Sequence, residues 1–278
     1  MPTFTPAKRL LFIQYFLLLF YTLAFYRWLN GMLLYQMQPQ IFNTRYDITT
    51  WIFMLPGIHR WALGNPVAWT IFDIFFYCIP IIWFAIWRKN ERAGQLAGIA
   101  MLVINWMYVQ YYCLYPTSSI EMHLSWLLLP ILFSTRKLKS FYFILHGLRY
   151  FFLFFFASAA IWKFRQGGFF NLEQMSGVLL LQHKEFLVTA PNNWYTHFIY
   201  WLIQHQTLGY LLYAAATLLE LIFVVGFFTK KFDKWLFAGF ILFLIMDMLV
   251  MRIPYFDLLP LAFTLLFSGY KEPVSETE

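Results

Sequence analysis

His146-Gly147-Leu148-Arg149-Tyr150-Phe151-Phe152-Leu153-Phe154-Phe155-Phe156-Ala157-Ser158-Ala159-Ala160-Ile161-Trp162-Lys163-Phe164 is an aromatic and aliphatic run with an arginine inside it and a lysine at its end. As a helix it is long enough to cross a bilayer, since about 20 residues at about 1.5 Å each span the hydrocarbon core. The chain then enters its longest polar excursion, residues 163–195, which carries His183 and Lys184 before the next apolar run. Lys163 is therefore expected where this helix passes from membrane to water.

The rest of the chain has the same character. With 61% hydrophobic, 23% aromatic and only 12% charged residues, it is too apolar for a soluble domain of ordinary composition. Long apolar runs recur from end to end, and the period-two alternation of a membrane barrel is absent, so the fold class is all-α, a polytopic helical membrane protein. Residues 1–268 are read as one transmembrane domain with its external excursion at 163–195, and residues 269–278 as a polar cytoplasmic tail. The formal net charge of +7 sits mostly in short loops, where it orients helices, and nucleic acid is not an expected partner. Cys78 and Cys113 each lie in an apolar run without CxxC spacing, which predicts neither a redox pair nor a metal site. Lys8-Arg9 before an apolar run imitates a signal peptide, but no small-residue cleavage site follows, so a retained first helix is expected.

Basic residues fall in clusters: Lys8-Arg9, Arg88-Lys89 with Arg92, Arg136-Lys137 with Lys139, Lys230-Lys231 with Lys234, and Lys271. If each is cytoplasmic, an even number of crossings separates neighbours. Eight helices satisfy this, at about 10–29, 67–87, 94–115, 124–133, 141–162, 207–228, 235–251 and 255–267, in the cytoplasmic (inner) membrane with both termini on its cytoplasmic side. The fourth is short and is expected to start near Ser119, carrying Glu121 and His123 on its outer end. Arg45, Asp47, His59 and Arg60 fall in the first external loop, where residues 47–55 read as a short capped segment behind Asp47. Asn171 and Gln174 have capping-box spacing ahead of an amphipathic helix on the outer surface, residues 195–206 lead into the next crossing, and Arg252-Ile253-Pro254 forces a turn.

Ionisable groups within lipid are expensive, which singles out a few positions. Arg149 and Glu220 count to mid-membrane and are expected to pair, either as a structural device or as support for a site. His146 shares a helix face with Arg149 and reads as a packing residue. Asp73 and Asp247 count to the outer third, beneath an external set that includes His59, His123, Lys163, Arg165, His183 and Lys184. This set is either the ordinary polar content of an interface or an outward-facing cavity. A lysine at an apolar boundary suits proton abstraction, because desolvation disfavours the ammonium. No metal-ligand spacing such as HExxH occurs.

Tyr150 to Phe164, ending Ala159-Ala160-Ile161-Trp162-Lys163-Phe164, resembles the lysine-bearing segment of the membrane domain of vitamin K-dependent gamma-carboxylases and their bacterial relatives, the HTTM proteins. That resemblance implies Lys163 as catalytic base toward a reduced quinone, in a carboxylase-like lyase or oxygenase, and His123, in Glu121-Met122-His123-Leu124-Ser125-Trp126, as its assistant. The family pattern has glycine where this chain has Ala160, and Gly167-Gly168-Phe169-Phe170 replaces its Trp-x-x-Gly. Residues 147–267 also look like the DoxX and MauE group, through Arg149, Lys163, Leu219-Glu220 and Val225-Gly226. This second resemblance implies an accessory redox or maturation subunit with a membrane-enzyme partner. A small-solute transporter is the third reading, if Asp73, Glu220 and Asp247 line one path. Membrane lipid is an expected partner in all three.

Overall fold

The computed structural model describes residues 5–37, 48–57, 59–60, 65–115 and 119–268, and helix is the only regular structure among them. The expectations placed on Arg45, Asp47, Lys271 and the tail 269–278 lie outside the described residues. α1 (Pro6–Leu29) starts behind Thr5, whose hydroxyl accepts the Lys8 N–H. α2 (Ile48–Met54), α3 (Pro66–Lys89) and α4 (Glu91–Tyr112) follow. Asn65 and Asn90 cap α3 and α4 by accepting first-turn amides, and the prolines at the starts of α1 and α3 have no amide to leave unpaired.

A 3-10 turn (Ile120–His123) leads into α5 (Leu124–Leu128) and α6 (Pro130–Phe133), separated at a proline that supplies no amide hydrogen. α7 (Leu138–Arg165) contains the aromatic run. Beyond it come a 3-10 turn (Gly168–Phe170), α8 (Gln174–Thr189), α9 (Trp194–Gln204), α10 (Gln206–Ile222), α11 (Val225–Phe228) and α12 (Asp233–Val250). A third 3-10 turn (Tyr255–Leu258) and α13 (Leu259–Phe267) complete the described order.

Among the described residues, Pro6–Leu29, Pro66–Lys89, Leu138–Arg165 and Gln206–Phe228 are long and apolar enough to cross a membrane. Ile120–Phe133 and Tyr255–Phe267 are shorter apolar helical stretches. Burial runs against the pattern of a water-soluble protein: Arg27, Asp73 and Arg149 are buried, while Leu18, Phe75, Phe154 and Leu181 are exposed. Lipid is the solvent that suits such a surface.

The chain forms two compact units, residues 1–148 with 256–278, and residues 149–255. In the first, three basic clusters far apart in sequence meet at one end. Arg9 donates to the carbonyls of Thr135 (2.8 Å) and Arg136 (3.1 Å), its guanidinium lies 5.0 Å from the ring of Trp87, and Arg136 reaches Glu91 at 3.8 Å. α4 meets the end of α6 so closely that a Cβ on Gly98 would stand 2.5 Å from the Phe133 carbonyl oxygen. Pro80 interrupts the bonding of α3, and the Tyr21 hydroxyl donates to the Tyr77 carbonyl just before it (3.0 Å).

In the second unit Phe152 and Phe156 of α7 stack among Phe223 and Phe240. Met175, Leu179 and Leu187 of α8 pack on Tyr195, Ile199 and Leu202 of α9. The expected capping box is not formed: Asn171 accepts the Glu173 amide in a tight turn (3.0 Å), and the helix begins only at Gln174. Of the lead-in expected at 195–206, residues up to Gln204 form the separate helix α9, which His205 joins to α10.

Candidate functional site

Most charged candidates of the second unit fall into two ion-paired groups. In the first, the Lys163 ammonium donates to both oxygens of Glu220, each at 2.8 Å, and lies 5.4 Å from the centre of the Tyr213 ring. Glu220 is buried, whereas the Lys163 side chain keeps 27% of its surface exposed. Asp247 faces this pair electrostatically, and its Oδ2 is buried without a hydrogen-bond partner. The segment after α7 closes against the same place, since a Cβ on Gly168 would meet the Tyr213 hydroxyl at 3.0 Å. One cation thus stands among two carboxylates and an aromatic face, a set able to hold and exchange protons.

The second group corrects an expectation. Arg149 does not pair with Glu220. It forks onto Asp233, through Nε to Oδ2 at 2.8 Å and through Nη2 to Oδ1, and Nη2 also reaches the carbonyls of Gly226 (2.9 Å) and Thr229 (3.4 Å). The guanidinium thus binds the last carbonyls of α11 and the first residue of α12, where a cation suits a helix C-terminus. Gly226 lets the helices approach there, since a Cβ would lie 2.5 Å from a Leu153 methyl, which would have to move. The charge of Arg149 serves the joint between helices, and Lys163 takes the carboxylate that had been assigned to it.

The external set divides likewise. His183 is buried, and its Nε2 donates to the Val250 carbonyl at 2.9 Å; the Tyr195 hydroxyl donates to the same oxygen at 3.0 Å. Burial holds the His183 imidazole below its ordinary pKa, with the Arg252 charge acting in the same direction and the Val250 bond against it. Arg252, at a left-handed φ of 53°, lays its guanidinium over Tyr195 and Phe186 at 4.0 and 4.4 Å. Lys184 and Arg165 are exposed, Arg165 lying over Trp162 at 5.3 Å.

The first unit holds its own polar cluster. Asp257 Oδ2 accepts from His123 Nδ1 (2.8 Å) and from Arg27 Nη2, with all three residues buried. Tyr112 lies beneath both partners, its ring 4.9 Å from the Arg27 guanidinium and 5.0 Å from the imidazole. Nδ1 also stands 3.1 Å from Arg27 Nη2, so imidazole, guanidinium and carboxylate meet in one contact. Asp73 is fully engaged: it accepts the amides of Leu34 (3.2 Å) and Tyr35 (2.9 Å) and the Tyr108 hydroxyl (2.7 Å), tying the turn after α1 to α3 and α4. His59 is buried with no partner for Nδ1, and His146 stacks on Tyr142. His123 belongs to the first unit and Lys163 to the second.

No protein family, curated protein or solved structure matches the chain. Among the described residues, no group of three or more His, Cys, Asp or Glu side chains is placed to hold a metal ion.

Sequence reasoning passed over Arg27, Asp257 and Asp233. A signal was present for each: Arg27 and Asp257 are lone charges in apolar stretches, as Arg149 is, and Asp233 stands among the lysines of a basic turn.

Proposed function

We propose that the chain is an HTTM-like integral membrane protein of eight crossings, with both termini cytoplasmic, that moves protons at Lys163 during oxidation of a reduced quinone or related isoprenoid lipid. The observation that carries this reading is the partly open Lys163 ammonium on a buried Glu220, with Asp247 beside it. As paired, the lysine is an acid. Passing one proton to Glu220 yields a neutral amine and a neutral acid. Lys163 then has a lone pair for a weakly acidic hydroxyl, while Glu220 retains the first proton and Asp247 offers a second acceptor.

A reduced quinone supplies that hydroxyl and the electrons for oxygen. The residues suit it: a flat aromatic face at Tyr213, an accessible amine, and a close approach of the Gly168 backbone to the Tyr213 hydroxyl. His123, which the same resemblance offers as the assisting histidine, is held by Asp257 within the first unit.

The test supplies purified protein in lipid with reduced menaquinone, oxygen and bicarbonate, and scores quinone epoxide by mass spectrometry. Epoxide from the wild type, lost in a folded Lys163→Ala variant, is the expected result. No epoxide from the wild type overturns the reading.

The accessory-subunit reading has its own observation in favour: the unit 149–255 falls wholly within the 147–267 stretch that looks like DoxX and MauE proteins. It predicts stable co-purification with a membrane enzyme, and greater loss of that association from Glu220→Gln than from His123→Gln.

A further inference from the structure

Among the described residues, the first unit contains a buried cation, Arg9, that makes no salt bridge. Arg9 is 5% exposed. Its terminal nitrogens are taken by the Thr135 and Arg136 carbonyls, the rings of Trp87 and Phe141 flank it at 5.0 Å each, and its Nε is buried with no hydrogen-bond partner. Carbonyl dipoles and ring faces solvate a guanidinium but do not neutralise it. Glu91 acts on Arg9 only from a distance, and its contact, at 3.8 Å, is with the outer Arg136. Burying an unmatched cation is expensive, and a bound anion is the direct remedy.

An open groove of about 580 Å³ lies at this point. Arg9, Arg136 and Glu91 supply its polar lining, and Leu10, Trp87 and Leu138 most of the apolar remainder. Lys8, Arg88, Lys89, Arg92 and Lys137 are sequence neighbours of the lining residues, so the surrounding field is positive. We infer that this groove binds an anionic phospholipid, its phosphodiester against Arg9 and Arg136 and its acyl chains along Leu10, Trp87 and Leu138. Basic pockets between membrane helices are suited to such headgroups. A free phosphate matches the charges but leaves the apolar wall in water, which is why the lipid is the assigned ligand. The inference rests on the membrane reading and is independent of the quinone chemistry, so a negative epoxide assay leaves it standing.

The test is native mass spectrometry of the full chain released from detergent micelles containing phosphatidylglycerol or phosphatidylcholine at equal concentration, with inorganic phosphate as a third arm. Phosphatidylglycerol is expected to remain bound preferentially. Because Arg9 also ties down two carbonyls, the deciding variants are at half-exposed positions. Arg136→Ala should weaken retention about fivefold, the worth of one basic residue at an anionic lipid. Glu91→Gln, by removing the competing carboxylate, should strengthen it by about the same factor. Equal retention of phosphatidylcholine, indifference to both variants, or equal stabilisation by inorganic phosphate would each overturn the proposal.

Discussion

The Lys163–Glu220 pair makes an asymmetric prediction. Lys163 faces two carboxylates, Glu220 at 2.8 Å and Asp247 farther off, whereas Glu220 faces one cation. Lys163→Met therefore strands two acids around an apolar side chain, and Glu220→Gln leaves Lys163 with Asp247 as an alternative partner. Removing one member of a buried pair costs about 3–5 kcal/mol, and the exposure of Lys163 puts its loss near the lower bound, about 3 kcal/mol. For a chain of this size that corresponds to a fall in Tm of roughly 6–12 °C. Glu220→Gln should cost about 1–2 kcal/mol, because its amide can still accept from the ammonium. Replacing both, as Lys163→Met with Glu220→Leu, should return stability to within about 1 kcal/mol of wild type. The assay is thermal unfolding in detergent micelles from pH 8 to pH 5. The Lys163→Met deficit should shrink toward acid pH as the stranded carboxylates take up protons. A double variant less stable than Lys163→Met, or a Glu220→Gln deficit larger than that of Lys163→Met at every pH, would refute this account of the cluster.

Arg149→Lys should cost about 2–3 kcal/mol despite keeping the charge, since an ammonium cannot hold both Asp233 oxygens and the Gly226 carbonyl with one planar fork; a fall in Tm of less than 2 °C in the same micelles would contradict that role. Buried His183 resists a proton that the unfolded chain accepts, so its contribution is complete above about pH 6.5 and declines as pH falls below that value. His183→Asn, which can still donate to Val250, should flatten this acid limb of the Tm-against-pH curve, and an unchanged limb would show that another group sets it. Gly98→Ala should lower Tm by several degrees, because the Phe133 carbonyl stands where the new methyl must go; chymotryptic digestion reporting a more open first unit would confirm where the strain falls.

What could be read from the chain follows from what lipid demands of it. Long apolar helices have no alternative use for their side chains, and their ends carry prolines, asparagines and basic residues, so 6–29, 66–89 and 138–165 were legible to within a few positions. The meeting of Arg9, Trp87 and Arg136 at one end follows from the same charge pattern. Partner choice was not legible in the same way. Counting residues from a loop gives the depth of Arg149 and Glu220 along their helices, but not the direction in which each side chain leaves its helix. Asp233, next to a basic turn, looks like a solvated charge until α11 ends against Arg149. The Asn171 and Gln174 spacing misled for a related reason: an asparagine that can bond two residues ahead competes with the three-residue reach of a cap.

The cluster of Arg27, His123 and Asp257 also bears on how the protein is made. Asp257 lies 230 positions after Arg27, and all of residues 149–255 is translated between the two stretches of the first unit. At about 5–20 residues per second, α1 waits roughly 10–50 s between emergence of its arginine and arrival of the carboxylate that neutralises it. During that interval the nascent first unit carries an unmatched charge at the end of its opening helix. The stretch that carries Asp257 therefore completes a unit whose other part was translated long before it, and truncation before Asp257 strands the Arg27 cation.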